Sequence, residues 1–348
     1  MGGRVDYREG KSGLETLEEK KGKVMGVCAT FNEKYLCCRV HVIKTIQNCP
    51  FDCTYCFLQQ YLNDHKTKVI TDIDSIIEEV LEKTSRQPWR LFRIGTWELG
   101  DSLALERVFP QASLLIERFA DIPNAVLELK TKSAVVDPIL RVRHKGKTVV
   151  SWSINTERII ETEEKATASL KQRLRAMKAV VDAGYLLGLH FDPMILYDDW
   201  TEDYRHLVQE IFSTVPQERV VWVSIGSLRF SPEMKRLIEI NHPSTKITLS
   251  EMVTGDDGKM RYVKPLRVQM YRLLYEELMK YLSGNSIVYL CMERWDVWDR
   301  VFGYYPESIG HLDWIFASSL YSRFSLGVEK PEREKYEKVP HFSGELPM

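Results

Sequence analysis

Long apolar runs are missing from this 348-residue chain. None approaches the roughly 20 residues that a membrane-spanning helix needs, and the N-terminus MGGRVDYREGKSG has no apolar signal core, so a cytoplasmic protein without a membrane partner is expected. An excess of charge is missing as well, since 48 Lys and Arg stand against 49 Asp and Glu for a net charge of −1. So balanced a chain exerts no strong overall pull on nucleic acid, and any such surface has to be local. Internal repeats and low-complexity tracts are absent, which argues against solenoids and long disordered arms. A secretory disulfide framework is disfavoured by the odd count of seven cysteines, at 28, 37, 38, 49, 53, 56 and 291, in a chain with no secretion signal. That usage points to metal or redox chemistry.

What is present is 44% apolar and 28% charged, near globular averages, and long enough to bury a sizeable core. RVHVIKTI (39–46) is β-branched and strand-like. TDIDSIIEEVLEKTSR (71–86) sets Ile73, Ile76, Ile77, Val80 and Leu81 on one helical face, with Thr71 or Asp72 as a cap. Further strands at 90–95, 125–130, 147–154, 185–191 and 219–225 alternate with helical patterns near 103–119, 134–141, 167–183 and 203–213. Six β-then-α units predict a parallel sheet with right-handed crossovers, open or curled into a full or partial barrel, with function at the C-terminal strand ends. The last third adds a helix near 265–283, the strand IVYLC (287–291) and an aromatic tail with Trp295, Trp298 and Trp314. The chain thus divides into an N-terminal segment (1–38, with a polar leader over 1–22), a barrel (39–230) and an α+β extension (231–348).

The strand-end rule gathers the unusual residues. TWELGDS (96–102) follows the second strand, Thr131 and Lys132 the third, Asn155 the fourth, and Asp192 with Pro193 the fifth. After the first strand comes NCPFDCTYCFLQQ (48–60), with Cys49, Cys53 and Cys56 spaced C-x3-C-x2-C. Three thiolates on one loop can ligate three irons of a four-iron four-sulfur cluster and leave the fourth iron without a protein ligand. An open position is the mark of a catalytic metal site. A competing reading is structural zinc with a distant ligand such as Cys37, Cys38 or His41, but zinc ligands usually arrive as C-x2-C pairs. Inert buried cysteines are a third reading, against which Tyr55 and the position after a first strand both count.

The C-x3-C-x-Tyr-C spacing ahead of repeated β-α units resembles the radical S-adenosylmethionine superfamily, and NCPFDCTYCFLQQYLN is similar to the cluster loop of the spore photoproduct lyase family. LKTKSAVVD (129–137), SWSINTERII (151–160) and AGYLLGLHFDPMILYDDWTEDYRHL (183–207) resemble family segments in the same order, so the likeness covers roughly residues 40–230. It implies a partial (β/α)6 radical-SAM barrel in which Cys49, Cys53 and Cys56 hold a 4Fe-4S cluster and the open iron binds S-adenosylmethionine. It also implies removal of a hydrogen from C6 of a methylene-bridged thymine dimer by a 5′-deoxyadenosyl radical. Tyr55 would pack on the cofactor and take part in hydrogen return, Lys132 and Ser153 would touch the cofactor, and Glu98, Asp101 and Ser102 lie where the superfamily binds the methionine amino group. DNA or a nucleotide as substrate and a flavodoxin- or ferredoxin-type reductant follow from the same resemblance.

Two positions depart from the family. RLFRIGTWELGDSLALE (90–106) has no cysteine where the lyases carry a hydrogen donor, and Phe57 stands where they carry a second tyrosine. A phenyl ring has no O–H to pass on. The expectation is therefore a lyase-like branch lacking the usual donor cysteine. Cys291 is the replacement candidate, set against the ordinary role of a free cysteine as a small buried hydrophobe. A radical enzyme on an unrelated peptide or metabolite, and a non-enzymatic iron-sulfur protein, are the alternatives. GKMRYVKPLRVQMYR (258–272) reads either as a phosphate-tracking surface or as a solvated face, and His190 as either core or functional.

Overall fold

The computed structural model describes residues 11, 13–19, 22–28, 34–62, 64–282, 286–324 and 329–339. Much of the leader expected over residues 1–22 lies outside them. An eight-stranded sheet forms the centre, and its spatial order is the chain order. The strands are β1 (Met25–Val27), β2 (His41–Ile43), β3 (Phe92–Gly95), β4 (Ala125–Thr131), β5 (Thr148–Ser153), β6 (Leu186–Met194), β7 (Val220–Ser227) and β8 (Ile287–Leu290). From β2 to β8 all neighbours run parallel, while β1 is antiparallel to β2. Strands β5 and β7 are buried along their whole length, as a parallel sheet covered on both faces demands.

The six expected strands, β2 to β7, are flanked by antiparallel β1 and parallel β8, both from outside 39–230. Strand β8 pairs with β7 from Trp222↔Ile287 to Ile225↔Leu290. Laid flat, eight strands would hold their edges about 34 Å apart at the usual spacing. Yet Tyr35–Leu36, after β1, pairs with Glu293–Arg294, after β8. The sheet therefore curls so that its two edges approach each other, with Cys28 at one edge in the neighbourhood of Cys291 at the other.

Helices α1 (Leu58–Tyr61), α2 (Ile73–Ser85), α3 (Gln111–Phe119), α4 (Glu157–Glu163), α5 (Leu170–Asp182), α6 (Trp200–Thr214), α7 (Pro232–Asn241) and α8 (Lys264–Leu278) accompany the strands. The α2 pattern is as expected, with Asp72 accepting a 3.1 Å bond from the Ser75 N–H and Ile73, Ile76, Ile77 and Val80 buried. Leu81, at the margin of that face, stays 45% exposed. Three expectations are corrected. Residues 134–141 form an irregular stretch followed by turns over 137–141, because Pro138 withholds an N–H and disfavours helix in Asp137 before it. Pro110 likewise delays α3 to Gln111. The strand expected over 39–46 ends at Ile43, and Ile46–Gln47 joins a separate sheet with Thr67–Ile70.

Inside the curl the floor is polar and closed. Glu128 Oε1 accepts from Ser151 Oγ (2.7 Å), His190 Nε2 (2.8 Å) and Trp222 Nε1 (3.1 Å). Burial works against this carboxylate, but His190, Ser151 and Arg93 outweigh it and bring its pKa to about 2. His190 is thereby a satisfied floor residue. Gly188 makes the arrangement possible, since a Cβ there would lie 2.2 Å from Ser151 Oγ and 2.4 Å from Trp222 Nε1. Among the described residues no helix is long and apolar enough to cross a membrane.

Candidate active site

The cysteine loop is shaped by its neighbours in sequence. Asn48 takes a left-handed conformation (φ 71°), which asparagine tolerates, and its Oδ1 accepts from the Cys49 N–H at 2.8 Å. Asp52–Cys53 pairs antiparallel with Glu164–Lys165, and the Cys56 N–H turns back to the Cys53 carbonyl at 3.1 Å. Gln59, buried on α1, donates to the Thr54 carbonyl at 2.8 Å and accepts from Asn241 of α7 at 2.9 Å. Cys49 and Cys56 lie against the apolar group Leu58, Leu62 and Leu99. The loop is thus pinned on several sides before any metal arrives.

Cys49, Cys53 and Cys56 lie close enough that Cys49 and Cys53 each interact electrostatically with Cys56. A four-iron cluster takes each thiolate on a different iron, and three cysteines on one pinned loop supply three such ligands. Loop and donor set fit a 4Fe-4S cluster.

Tyr55 points to a buried ion pair. Its hydroxyl donates to Glu164 Oε1, and Glu164 Oε2 pairs with Arg173 Nη2 at 2.6 Å, both side chains being essentially inaccessible. Arg173 also donates to the carbonyls of Ala168 and Ser153, each at 2.9 Å. Lys132 Nζ stands 5.5 Å from the Tyr55 ring centre. Burial disfavours the charge on Glu164, yet Arg173 and Lys132 hold its pKa below the ordinary range. Glu163 beside it accepts from Thr54 and Thr245 hydroxyls at 2.6 Å. Glu163, Glu164 and Arg173 escaped the sequence reading, although a run of acids directly after a strand-end motif was a visible signal.

The segment after β3 turns mostly inward. Asp101 Oδ1 accepts from Thr131 Oγ1 (2.7 Å) and the N–H groups of Leu103 (3.0 Å) and Ala104 (2.9 Å), and Oδ2 accepts from the Lys132 N–H (2.7 Å). Ser102 Oγ accepts from Thr96 Oγ1 (2.7 Å) and the Lys130 N–H (3.0 Å). Both residues knit the ends of β3 and β4 together. Ser153 is buried at the end of β5. Glu98 is half-buried and faces Cys28, Lys130, Lys259 and Arg229, with burial as the main cause of its raised pKa. Trp97 folds back over Gly95, where a Cβ would lie 2.4 Å from its Nε1, and Lys130 Nζ sits 4.3 Å from the Trp97 ring centre. Phe57 is 43% exposed and packs edge-on against Tyr61.

Cys291 reaches the same rim. It lies one residue past β8, its N–H donating to the Ile225 carbonyl at 2.8 Å and its Sγ accepting from Arg229 Nη2 at 3.2 Å. Arg229 forms a two-point ion pair with Asp192. Cys28, Lys130 and Arg229 are the rim residues that sequence reading missed, though Arg229 two positions past a strand was open to the strand-end rule. The basic segment 258–272 is charge-paired, partly as a solvated face and partly buried. Arg261 pairs with Asp257 (2.7 Å), Lys264 with Asp296 (2.6 Å) and Arg267 with Glu293 (2.8 Å), while Lys259 turns toward Arg229 and Cys291.

Comparison with known proteins agrees with this geometry. The family model described as spore photoproduct lyase matches residues 5–291. The spore photoproduct lyase of Bacillus subtilis (strain 168) is 28% identical over 225 residues, 64% of this chain and 64% of that protein, so the match spans just under two thirds of that relative. The spore photoproduct lyase of Clostridium acetobutylicum is 25% identical over 274 residues, 75% of this chain and 80% of that one. A solved spore photoproduct lyase complexed with dinucleoside spore photoproduct superposes with a TM-score of 0.72 at 24% identity, covering 82% of this chain and 84% of that chain. A mutant form with bound AdoMet and the dinucleoside gives 0.73, covering 83% and 86%. At that identity the likeness to the solved structures establishes the partial-barrel fold.

Proposed function

Because the chain belongs to the spore photoproduct lyase family, we propose that it is a radical S-adenosylmethionine enzyme acting on a pyrimidine-dimer lesion in DNA or a related nucleotide. The observation that carries this reading is the loop of Cys49, Cys53 and Cys56 at the C-terminal rim, pinned by its backbone bonds and backed by the buried Tyr55–Glu164–Arg173 network. These residues would hold a 4Fe-4S cluster with one open iron. Bound there and reduced, S-adenosylmethionine supplies a 5′-deoxyadenosyl radical. Tyr55 and Lys132 flank the loop and meet the cofactor, with Ser153 at the end of β5. Asp101 and Ser102 support the methionine-binding segment through the bonds that fix it, and Glu98 stands between cofactor and substrate sides.

Cys291 is the hydrogen donor in this reading. Hydrogen-atom return needs an intact S–H, and burial, ahead of Asp192, keeps the proton on this sulfur by pushing its pKa far up. A flavodoxin- or ferredoxin-type reductant and a cytoplasmic location belong to the same proposal. Phe57 and the missing cysteine after β3 favour a second reading, a radical enzyme on a different substrate. Anaerobic reconstitution tests the first. The reduced four-iron protein should cleave S-adenosylmethionine to 5′-deoxyadenosine and turn over a defined spore-photoproduct dinucleotide. Cleavage without turnover selects the second reading, and no cleavage overturns both.

A further inference from the structure

Three consecutive parallel strands bring one row of residues to the far side of the rim. In the register Phe191↔Ile225↔Leu290, the next residues are Asp192, Gly226 and Cys291. Gly226 leaves the middle of that row empty, since a Cβ there would lie 2.6 Å from Asp192 Oδ1 and 3.0 Å from Arg229 Nη1. Arg229 folds back into the gap. Its Nη1 donates to Asp192 Oδ1 at 2.9 Å and to the Ser227 carbonyl at 3.2 Å, and its Nη2 to Asp192 Oδ2 at 3.1 Å and Cys291 Sγ at 3.2 Å. Behind it, Tyr271 Oη lies 2.8 Å from Ser227 Oγ and donates to Glu293 at 2.9 Å, and Glu293 pairs with Arg267. The guanidinium is braced from two directions.

We propose that Asp192 and Arg229 are a positioning clamp, holding the Cys291 sulfur in one place at the barrel mouth and keeping it a neutral thiol. The inference rests on the reading of Cys291 as hydrogen donor. A guanidinium beside a sulfur by itself favours the thiolate, and a carboxylate by itself favours the thiol. Paired two-point, their fields largely cancel, and burial then decides for S–H. The thiol S–H donates toward the Asp192 carboxylate, and Arg229 donates to the sulfur. The other groups facing Cys291 are Cys28, Cys37 and Cys38 from the N-terminal segment, Lys259 from the loop ahead of α8 and Tyr289 on its own strand.

The chemistry needs this state. In return of hydrogen, the S–H bond breaks homolytically, the hydrogen atom forms a C–H bond on the carbon radical of the opened lesion, and a sulfur-centred radical remains. That radical would take back, from the 5′ carbon of 5′-deoxyadenosine, the hydrogen atom removed from the substrate at the start, re-forming the S–H bond and leaving the 5′-deoxyadenosyl radical, so no outside oxidant or reductant enters. A thiolate has no hydrogen atom to give.

Alkylation of Cys291 by iodoacetamide, followed by peptide mass spectrometry on the full chain between pH 6 and 10, reads the thiol directly and needs no cofactor. Wild type should react slowly and still be accelerating at pH 10. Asp192→Asn, which leaves Arg229 uncompensated, should react about tenfold faster at pH 8, one unit of pKa. Arg229→Gln, which leaves Asp192 uncompensated, should react more slowly than wild type, and Arg229→Lys should return toward it. Mere loosening of the fold would speed both neutral variants. Shifts of the same sign, or none, overturn the clamp. Full hydrogen return by Cys291→Ala would instead remove the donor reading and leave the alkylation result to judge the clamp alone.

Discussion

The two sides of the barrel rim are built differently. After β2 to β5, the chemistry sits on short contiguous stretches, 48–61, 129–133 and 151–173, in which ligand, lock and counter-charge follow one another along the chain. After β6 to β8, it is assembled from single residues, Asp192, Arg229 and Cys291, brought together by the alignment of parallel strands, with Lys259 added from the loop ahead of α8. The first side carries the family's motif, and under the proposed function it serves the cofactor while the second returns hydrogen.

Variants can break that contrast. The largest effect belongs to the near side: Cys53→Ala should abolish the iron-sulfur absorbance after anaerobic reconstitution, and retained absorbance would sink the ligand assignment. Next, Arg173→Leu leaves Glu164 buried without its partner and should cost about 3–5 kcal/mol in urea unfolding. A loss within 1 kcal/mol, the usual range of an exposed pair, would mean that the ion pair does not support the loop.

Acid spans both sides. Glu128 and Asp192 are each depressed to about 2, against burial, by His190 and Arg229 respectively. Folded values below the ordinary carboxylate range near 4 stabilise the fold fully above that range, and the gain is lost as pH falls toward 2. Stability should therefore drop between pH 4 and 2, and a flat profile there would contradict both assignments. The smallest effect is expected from Phe57→Tyr. Because that ring is 43% exposed beside Tyr61, restoring the hydroxyl should leave hydrogen return unchanged, whereas a large gain would assign the near side a role in the return path.

The same contrast explains what was legible in the sequence. Strand positions and the cysteine loop rest on local pattern and could be read directly. That β8 joins the sheet could not, because pairing with β7 is a long-range event across α7 and α8. The stretch 134–141 went astray because apolar spacing outweighed Pro138. The basic run 258–272 was legible only in part, because the counterions Asp296 and Glu293 lie on another segment and only the fold reveals that Arg267 is buried. Cys291 could be nominated from IVYLC, but the Asp192 and Arg229 partners that fix its state had no shared sequence signature.

The central claim is that this protein returns hydrogen to an opened lesion through Cys291. Thiol protons exchange with solvent, so turnover of a spore-photoproduct dinucleotide in deuterium oxide should place deuterium in the wild-type product. Cys291→Ala should still cleave S-adenosylmethionine but lose that deuterium, and an undiminished label in the variant would contradict the account.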